Sequence, residues 1–191
     1  ADNLVASSYS LLDLLNGVLE AIKISSGEIP LLKKKFDFQK KLNEVILLNQ
    51  SKASQKNIKL LFEHDAAIPT YLMGDPIRIH RIALEFVVNA LNFTHTGHVK
   101  LITKLSKKNK KNVIVKIIVE DTGVGIPPEK QQEVYVQFKR LTPSYEGIYK
   151  GFGLGLSIAK QLADELEGEI YVESQVGVGS KFTLVVNLKK P

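Results

Sequence analysis

The chain has 191 residues, 44% hydrophobic and 24% charged, enough apolar material to bury a real core in one domain or one domain with an appendage. It contains no cysteine, which excludes disulfides and thiolate metal sites. No apolar run reaches the roughly 20 residues of a membrane span. The opening Ala1-Asp2-Asn3 lacks the basic start of a secretory leader. Because the chain begins inside an apparent helix, it reads as a fragment of something longer.

The net charge of +6 raises the question of nucleic acid. The densest cluster is Lys104, Lys107, Lys108, Lys110 and Lys111. No aromatic residues interleave with these lysines to stack bases. A solvated hairpin turn is the better reading, and no nucleic-acid partner is expected.

From Leu4 to Ser25 the chain reads as one helix, with Leu4, Leu11 and Val18 on a heptad stripe. Gly27 and Pro30 end it. It is either an ordinary core helix or part of a dimerisation helix, and Ser25-Ser26-Gly27 resembles a joint. After an extended piece around Phe36, Asp37 caps a helix to about Asn57, with Leu42, Val45, Ile46 and Ala53 near one face. Ile58 to Glu63 reads as a strand and His64 to Gly74 as a loop. Asp75-Pro76 is a strong start for a helix to about Phe93, buried through Ile79, Ile82, Phe86 and Ala90. Glu85, Asn89 and Asn92, spaced by four and three, share a second face. That face is either solvated or lines a polar ligand site.

Val99 to Leu105 and Val113 to Glu120 form a hairpin that delivers Asp121. Pro128-Glu129 starts a short helix through about Tyr135. Lys139 to Lys150 reads as a long loop of the kind that forms lids. Gly153 to Glu167 is a helix with Gly168 as its stop. Glu169 to Glu173 and Lys181 to Leu188 are strands around Gly177-Val178-Gly179-Ser180. The expected architecture is α/β (α+β): a two-layer sandwich of a five-stranded mixed sheet and about three helices, after an N-terminal helix.

Two glycine-rich stretches organise this plan. Asp121-Thr122-Gly123-Val124-Gly125-Ile126-Pro127 puts an acid and two spaced glycines at a strand end, where backbone can approach a flat ligand closely. Gly151-Phe152-Gly153-Leu154-Gly155-Leu156 runs into a helix N-terminus, whose free N–H groups and dipole suit phosphates. Together they point to a nucleotide site.

The ordered set resembles the catalytic, ATP-binding domain of sensor histidine kinases, in the wider gyrase and mismatch-repair ATPase superfamily. Asn89-Ala90-Leu91-Asn92-Phe93-Thr94 matches the N box, and Asp121 to Pro127 the first glycine box. Phe138-Lys139-Arg140 matches the end of the F box, and Gly151 to Leu156 the second glycine box. Gly177 to Phe182, including Ser180, resembles the turn into the C-terminal strand. The resemblance covers about Phe36 to Leu188. More loosely, Lys23 to Gly27 resembles the end of the second dimerisation helix. The implied division is 1–29, part of a dimerisation and phosphoacceptor hairpin, and 30–191, the catalytic domain with a Bergerat-type fold.

The resemblance implies the following roles. Asp121 accepts from the adenine amino group, while Gly123, Gly125 and Ile126 line the base. Asn89 binds Mg²⁺ through its amide oxygen, the remaining ligands being water and phosphates. Arg140, with Lys139 and Lys150 beside it, reaches the phosphates; a solvated surface arginine is the competing reading. Gly153 and Gly155 present amides to the phosphates, flanked by Gly151, Leu154 and Leu156. Tyr145 and Tyr149 either clamp the loop or are unrelated to ligand.

Two positions depart from the family pattern. Glu85 stands where many kinases carry asparagine, and is a metal-shell carboxylate, a general base, or both. Asn92 stands where many members carry a lysine or arginine. The four histidines, His64, His80, His95 and His98, lie off the N-terminal helix and outside any acceptor pattern, and read as surface or loop residues. The implied function is binding of Mg-ATP and donation of its γ-phosphate to a histidine on a dimerisation domain outside this chain. The alternatives are an ATP hydrolase using Glu85 as base and a non-catalytic nucleotide module. The implied partners are that phosphoacceptor domain, a response regulator receiver domain and a second copy in the full-length homodimer, in the cytoplasm, without membrane contact by this chain.

Overall fold

The computed structural model describes residues 30–136 and 154–191. The segment 1–29, the expected lid, Phe138, Lys139, Arg140, Lys150, Gly151 and Gly153 lie outside these residues. What is described is one sheet with three α-helices packed on a single face, the expected two-layer arrangement.

The strands are β1 (Lys34–Asp37), β2 (Lys59–His64), β3 (Tyr71–Gly74), β4 (His98–Lys108), β5 (Asn112–Asp121), β6 (Glu169–Gln175) and β7 (Gly179–Lys189). The helices are α1 (Phe38–Gln55), α2 (Pro76–Phe93) and α3 (Gly155–Glu165). The sheet runs β1-β3-β7-β5-β4-β2, and β6 pairs with the opposite end of the β7 edge from β3. Among the described strands only β2 and β4 pair in parallel, so the sheet is mixed.

Seven strands replace the expected five. The additions are β1 and β3, four residues each, which pair with one another from Lys34↔Gly74 to Asp37↔Tyr71. Their pairing is non-local, and Lys34-Lys35-Phe36-Asp37 has a single apolar residue, so alternation does not announce it. The expected helix after Pro128 is two separate 3₁₀ turns, Pro128–Lys130 and Glu133–Tyr135.

Both expected helix starts are made by their acids. Asp37 Oδ1 accepts the amide of Lys40 at 2.9 Å, and Asp75 Oδ1 accepts those of Ile77 and Arg78 at 3.0 Å each. Asp75 Oδ2 also accepts the Leu32 amide and pairs with buried Arg78 at 2.6 Å. Arg78 donates in addition to Glu165 on α3 (2.6 Å) and to the Pro30 carbonyl (3.3 Å). This one guanidinium ties the start of α2, the end of α3 and the entry of the chain together. At the end of α3 the left-handed residue is Glu167 (φ 53°), one position before the expected glycine stop.

The core lies between the helices and the inner sheet face. Phe86 on α2 meets Phe182 on β7 with ring centroids 5.5 Å apart, among Leu101, Ile117, Val119, Ile158 and Leu184. The outer face carries alternating charges in register: Lys100 opposite Glu120, Glu120 opposite Lys181, and Lys181 opposite Glu173. Lys100 also pairs with Glu63 at 3.0 Å. Such exposed pairs add little stability, but they make an uncovered face tolerable to water. The Lys107 to Lys111 region is the expected solvated hairpin turn, with Asn109 Oδ1 accepting the amides of Lys111 and Asn112. Among the described residues no helix is long and apolar enough to cross a membrane.

Candidate functional site

Asp121 is the last residue of β5, and its side chain is buried. Its Oδ1 accepts the amides of Gly123 at 2.8 Å and Ser180 at 3.3 Å. Both bonds fall on one oxygen, which fixes the carboxylate and leaves Oδ2 without a hydrogen bond among the described residues. Burial pushes the pKa of Asp121 up, and the two amides only partly offset this. Ser180, expected to touch the ligand, donates its backbone amide to the acid and sets its hydroxyl 2.9 Å from that of Ser174.

The glycine loop is fastened on both sides. Val124 donates to the Phe93 carbonyl at the end of α2 (3.2 Å) and accepts from Gly177 in the β6–β7 turn (2.9 Å). A Cβ on Gly123 would stand 2.5 Å from the Phe93 carbonyl oxygen, and one on Gly125 (φ 72°) 2.0 Å from that of Gln175. These glycines let loop, helix end and hairpin turn come together. Ile126 donates to Ser174 Oγ at 2.8 Å, and Ser174 donates to the Gly179 carbonyl at 2.9 Å. Gln131 Nε2 reaches the carbonyls of Ile126 (3.1 Å) and Ser174 (2.9 Å). Sequence reasoning missed Ser174 and Gln131. Ser174 becomes visible only once the hairpin register sets it opposite Ser180.

The polar face of α2 leads away from the glycine loop, from Asn92 back to Glu85. Glu85, Asn89 and Asn92 are all half-buried, so this face is not simply solvated. Glu85 Oε1 pairs with Arg81 at 2.9 Å. Its Oε2 lies where a Cβ on Gly155 would be, 2.2 Å from that position, which brings the carboxylate to the start of α3. Leu154 is buried and Leu156 half-buried beside it. At the other end, Asn92 Oδ1 accepts from Lys52 Nζ at 2.7 Å. Lys52, on α1, was not foreseen, since nothing in its local sequence separates it from other helix-end lysines.

Among the described histidines, His80 departs from the expected surface position. It sits on α2 with Nε2 buried, and burial lowers its pKa. His64 is in β2, with Nδ1 2.8 Å from Thr103 Oγ1.

The described residues hold no group of three or more His, Cys, Asp or Glu side chains able to cage a metal. Magnesium does not require one, because it keeps several waters and accepts phosphate oxygens. Asn89 and Glu85, one turn apart on α2, both carry side-chain oxygens of the kind that magnesium accepts.

The comparisons agree with this geometry. The family model described as "Histidine kinase-, DNA gyrase B-, and HSP90-like ATPase" matches residues 74–190. The chain is 33% identical over 180 residues to hybrid signal transduction histidine kinase B of Dictyostelium discoideum, covering 94% of this chain and 9% of that protein. It is 30% identical over 182 residues to the signal transduction histidine-protein kinase BarA of Escherichia coli (strain K12), covering 95% of this chain and 20% of BarA. The chain thus spans a fifth or less of the length of these curated relatives. Full-length ShkA, solved in complex with AMPPNP, matches with a TM-score of 0.85 at 27% identity, over 100% of this chain and 38% of that one. The acid-and-glycine loop, the polar face of α2 and the family match lead to one conclusion: this chain belongs to the histidine kinase-, DNA gyrase B- and HSP90-like ATPases.

Proposed function

We propose that the chain is the nucleotide-binding, phosphoryl-donating part of a two-component sensor histidine kinase. It binds Mg-ATP and gives the γ-phosphate to a histidine on a dimerisation domain outside these residues. The observation that carries the reading is Asp121, a buried acid with one oxygen committed to two backbone amides and the other left for a ligand donor. An acceptor so fixed suits the adenine amino group and disfavours guanine, which presents a carbonyl at that position. The family match and the AMPPNP complex of ShkA, an imido analogue of ATP, support the same ligand.

In this reading Asp121 selects the base, and Gly123, Gly125 and Ile126 form the floor against which it lies. The start of α3 at Gly155 presents its amides and positive dipole end to the phosphates. Asn89 and Glu85 would hold magnesium, which when bound neutralises phosphate charge. Gly151, Gly153, Phe138, Lys139, Arg140 and Lys150 complete the phosphate end. Residues 1–29 are assigned to the end of a dimerisation hairpin and 30–191 to the catalytic domain. The full-length protein is a homodimer serving a receiver domain, with this part on the cytoplasmic side.

Transfer of this kind rests on positioning and charge stabilisation more than on covalent chemistry. Glu85 is suited to that role. Its pairing with Arg81 at 2.9 Å holds the carboxylate in place on α2, as a positioning role requires. The test is trans-phosphorylation: the chain, Mg-ATP labelled at the γ-phosphate, and the acceptor domain of the parent protein. Label on an acceptor histidine supports the proposal. Binding without transfer leaves a non-catalytic nucleotide module, and phosphate release lost in Glu85→Gln identifies a hydrolase.

A further inference from the structure

Two lysines leave the end of α1 toward α2, and they do different things. Lys56 Nζ donates to the carbonyls of Leu91, Thr94 (2.8 Å) and Asn92 (3.4 Å), closing the negative end of the α2 dipole. Lys52 is not needed for that. Its Nζ donates to the side-chain oxygen of Asn92 at 2.7 Å, on the same face as Asn89 and Glu85. Among the described residues this neutral amide is its one polar partner, and no carboxylate lies within ion-pair distance. Burial and the neighbouring Lys56 both lower its pKa. A half-buried ammonium beside a second ammonium, with no counter-anion among the described residues, is a place where an added anion is favoured.

The position along α2 says which anion it fits. The carbonyl of Phe93, next to Asn92, receives the amide of Val124 in the Asp121 loop, so this end of α2 is the base end of the cleft. Glu85, which abuts the start of α3, is seven residues before Asn92 on α2, about 10 Å along a helix. We propose that Lys52 is a binding residue for the phosphate group nearest the ribose, held in place by Asn92. The proposal rests on the adenine-nucleotide reading of the site and adds to it a cation from a different helix. Because it serves the first phosphate, Lys52 acts alike on ADP and ATP and leaves adenosine untouched.

The experiment is calorimetric titration of the whole chain with adenosine, ADP and ATP in magnesium, for wild type, Lys52→Met, Lys52→Arg and the double variant Lys52→Met/Asn92→Lys. Lys52→Met should weaken ADP and ATP by the same factor, about tenfold for a lost charge-assisted hydrogen bond, with adenosine unchanged. Lys52→Arg should stay near wild type. Asn92→Lys should restore affinity in the Lys52→Met background, because it returns a cation to the same place. Wild-type affinity for ADP in Lys52→Met overturns the proposal and leaves the site reading standing. An equal loss for adenosine also overturns it, as a packing role. If wild type binds neither adenosine nor ATP, the site reading itself falls and takes the proposal with it. Should Lys52→Met not fold, the Nζ resonance of Lys52 in the wild type decides. It shifts on ADP and not on adenosine, and the same response to both overturns the proposal.

Discussion

The carboxylate of Glu85 on α2 abuts Gly155, the first residue of α3, so closely that a Cβ built there would stand 2.2 Å from Oε2. The glycine is therefore a spacer that lets an acid approach a helix N-terminus. Gly155→Ala displaces the end of a flexible side chain rather than backbone. The melting temperature should change by no more than about 4 °C, a shift of the order of 1 kcal/mol. Affinity for Mg-ATP should fall about tenfold, since acid and helix start are then misplaced relative to one another. Unchanged affinity by calorimetry would remove this contact from the phosphate end.

Asp121→Asn separates recognition from folding. The asparagine Oδ1 still accepts the amides of Gly123 and Ser180, which in the wild type lie at 2.8 and 3.3 Å. The other atom becomes an N–H₂ facing a ligand amino group, donor against donor. Adenosine and ATP affinity should drop by about a hundredfold or more, the cost of unpaired polar groups in a buried contact. Stability at neutral pH should hold or rise by about 1 kcal/mol, because a desolvated charge is gone. A large loss of stability with retained binding would show that Asp121 is structural.

The raised pKa of Asp121 gives the same acid two opposite pH signatures. Its folded pKa lies above its unfolded one because burial disfavours the charge. Its contribution to stability is therefore fully present below the unfolded pKa and is lost as pH rises through the folded pKa. Ligand binding needs the ionised acceptor and runs the other way. Adenosine affinity should weaken on acidification, beginning above the ordinary carboxylate range. Calorimetry from about pH 7 to pH 4 checks the trend against the ordinary Asp value of about 3.9. Asp121→Asn should abolish the pH dependence of stability from this group.

The sequence made the helix layer legible because its signals are local. Asp37 and Asp75-Pro76 announce their helices, and alternation in β4, β5 and β7 announces three long strands. The strands β1 and β3 stayed hidden because four residues carry little periodicity and their pairing spans forty positions, Lys34 to Gly74. The site divides along the same line. Asp121, Gly123, Gly125 and Asn89 are visible as spacings within short stretches. Ser174 depends on the β6–β7 register. Lys52 depends on how α1 packs against α2 and so meets Asn92, forty residues away. Contacts set by packing have no signature in the residues that make them.

Two glycines with similar backbone angles test how far the turn around the base is built by close approach. Gly125 (φ 72°) and Gly177 (φ 76°) both take left-handed conformations. A Cβ on Gly125 would meet the Gln175 carbonyl oxygen at 2.0 Å, whereas one on Gly177 meets nothing within 4 Å. Gly177→Ala then carries only the backbone penalty, about 1 kcal/mol. Gly125→Ala adds a clash between two backbone segments that cannot yield separately, and should cost about 3 kcal/mol or more while pulling the Asp121 loop off the β6–β7 turn. Chemical denaturation of the two variants measures the difference directly. Adenosine binding should survive in Gly177→Ala and fail in Gly125→Ala, and equal effects would mean that the loop tolerates separation from the hairpin.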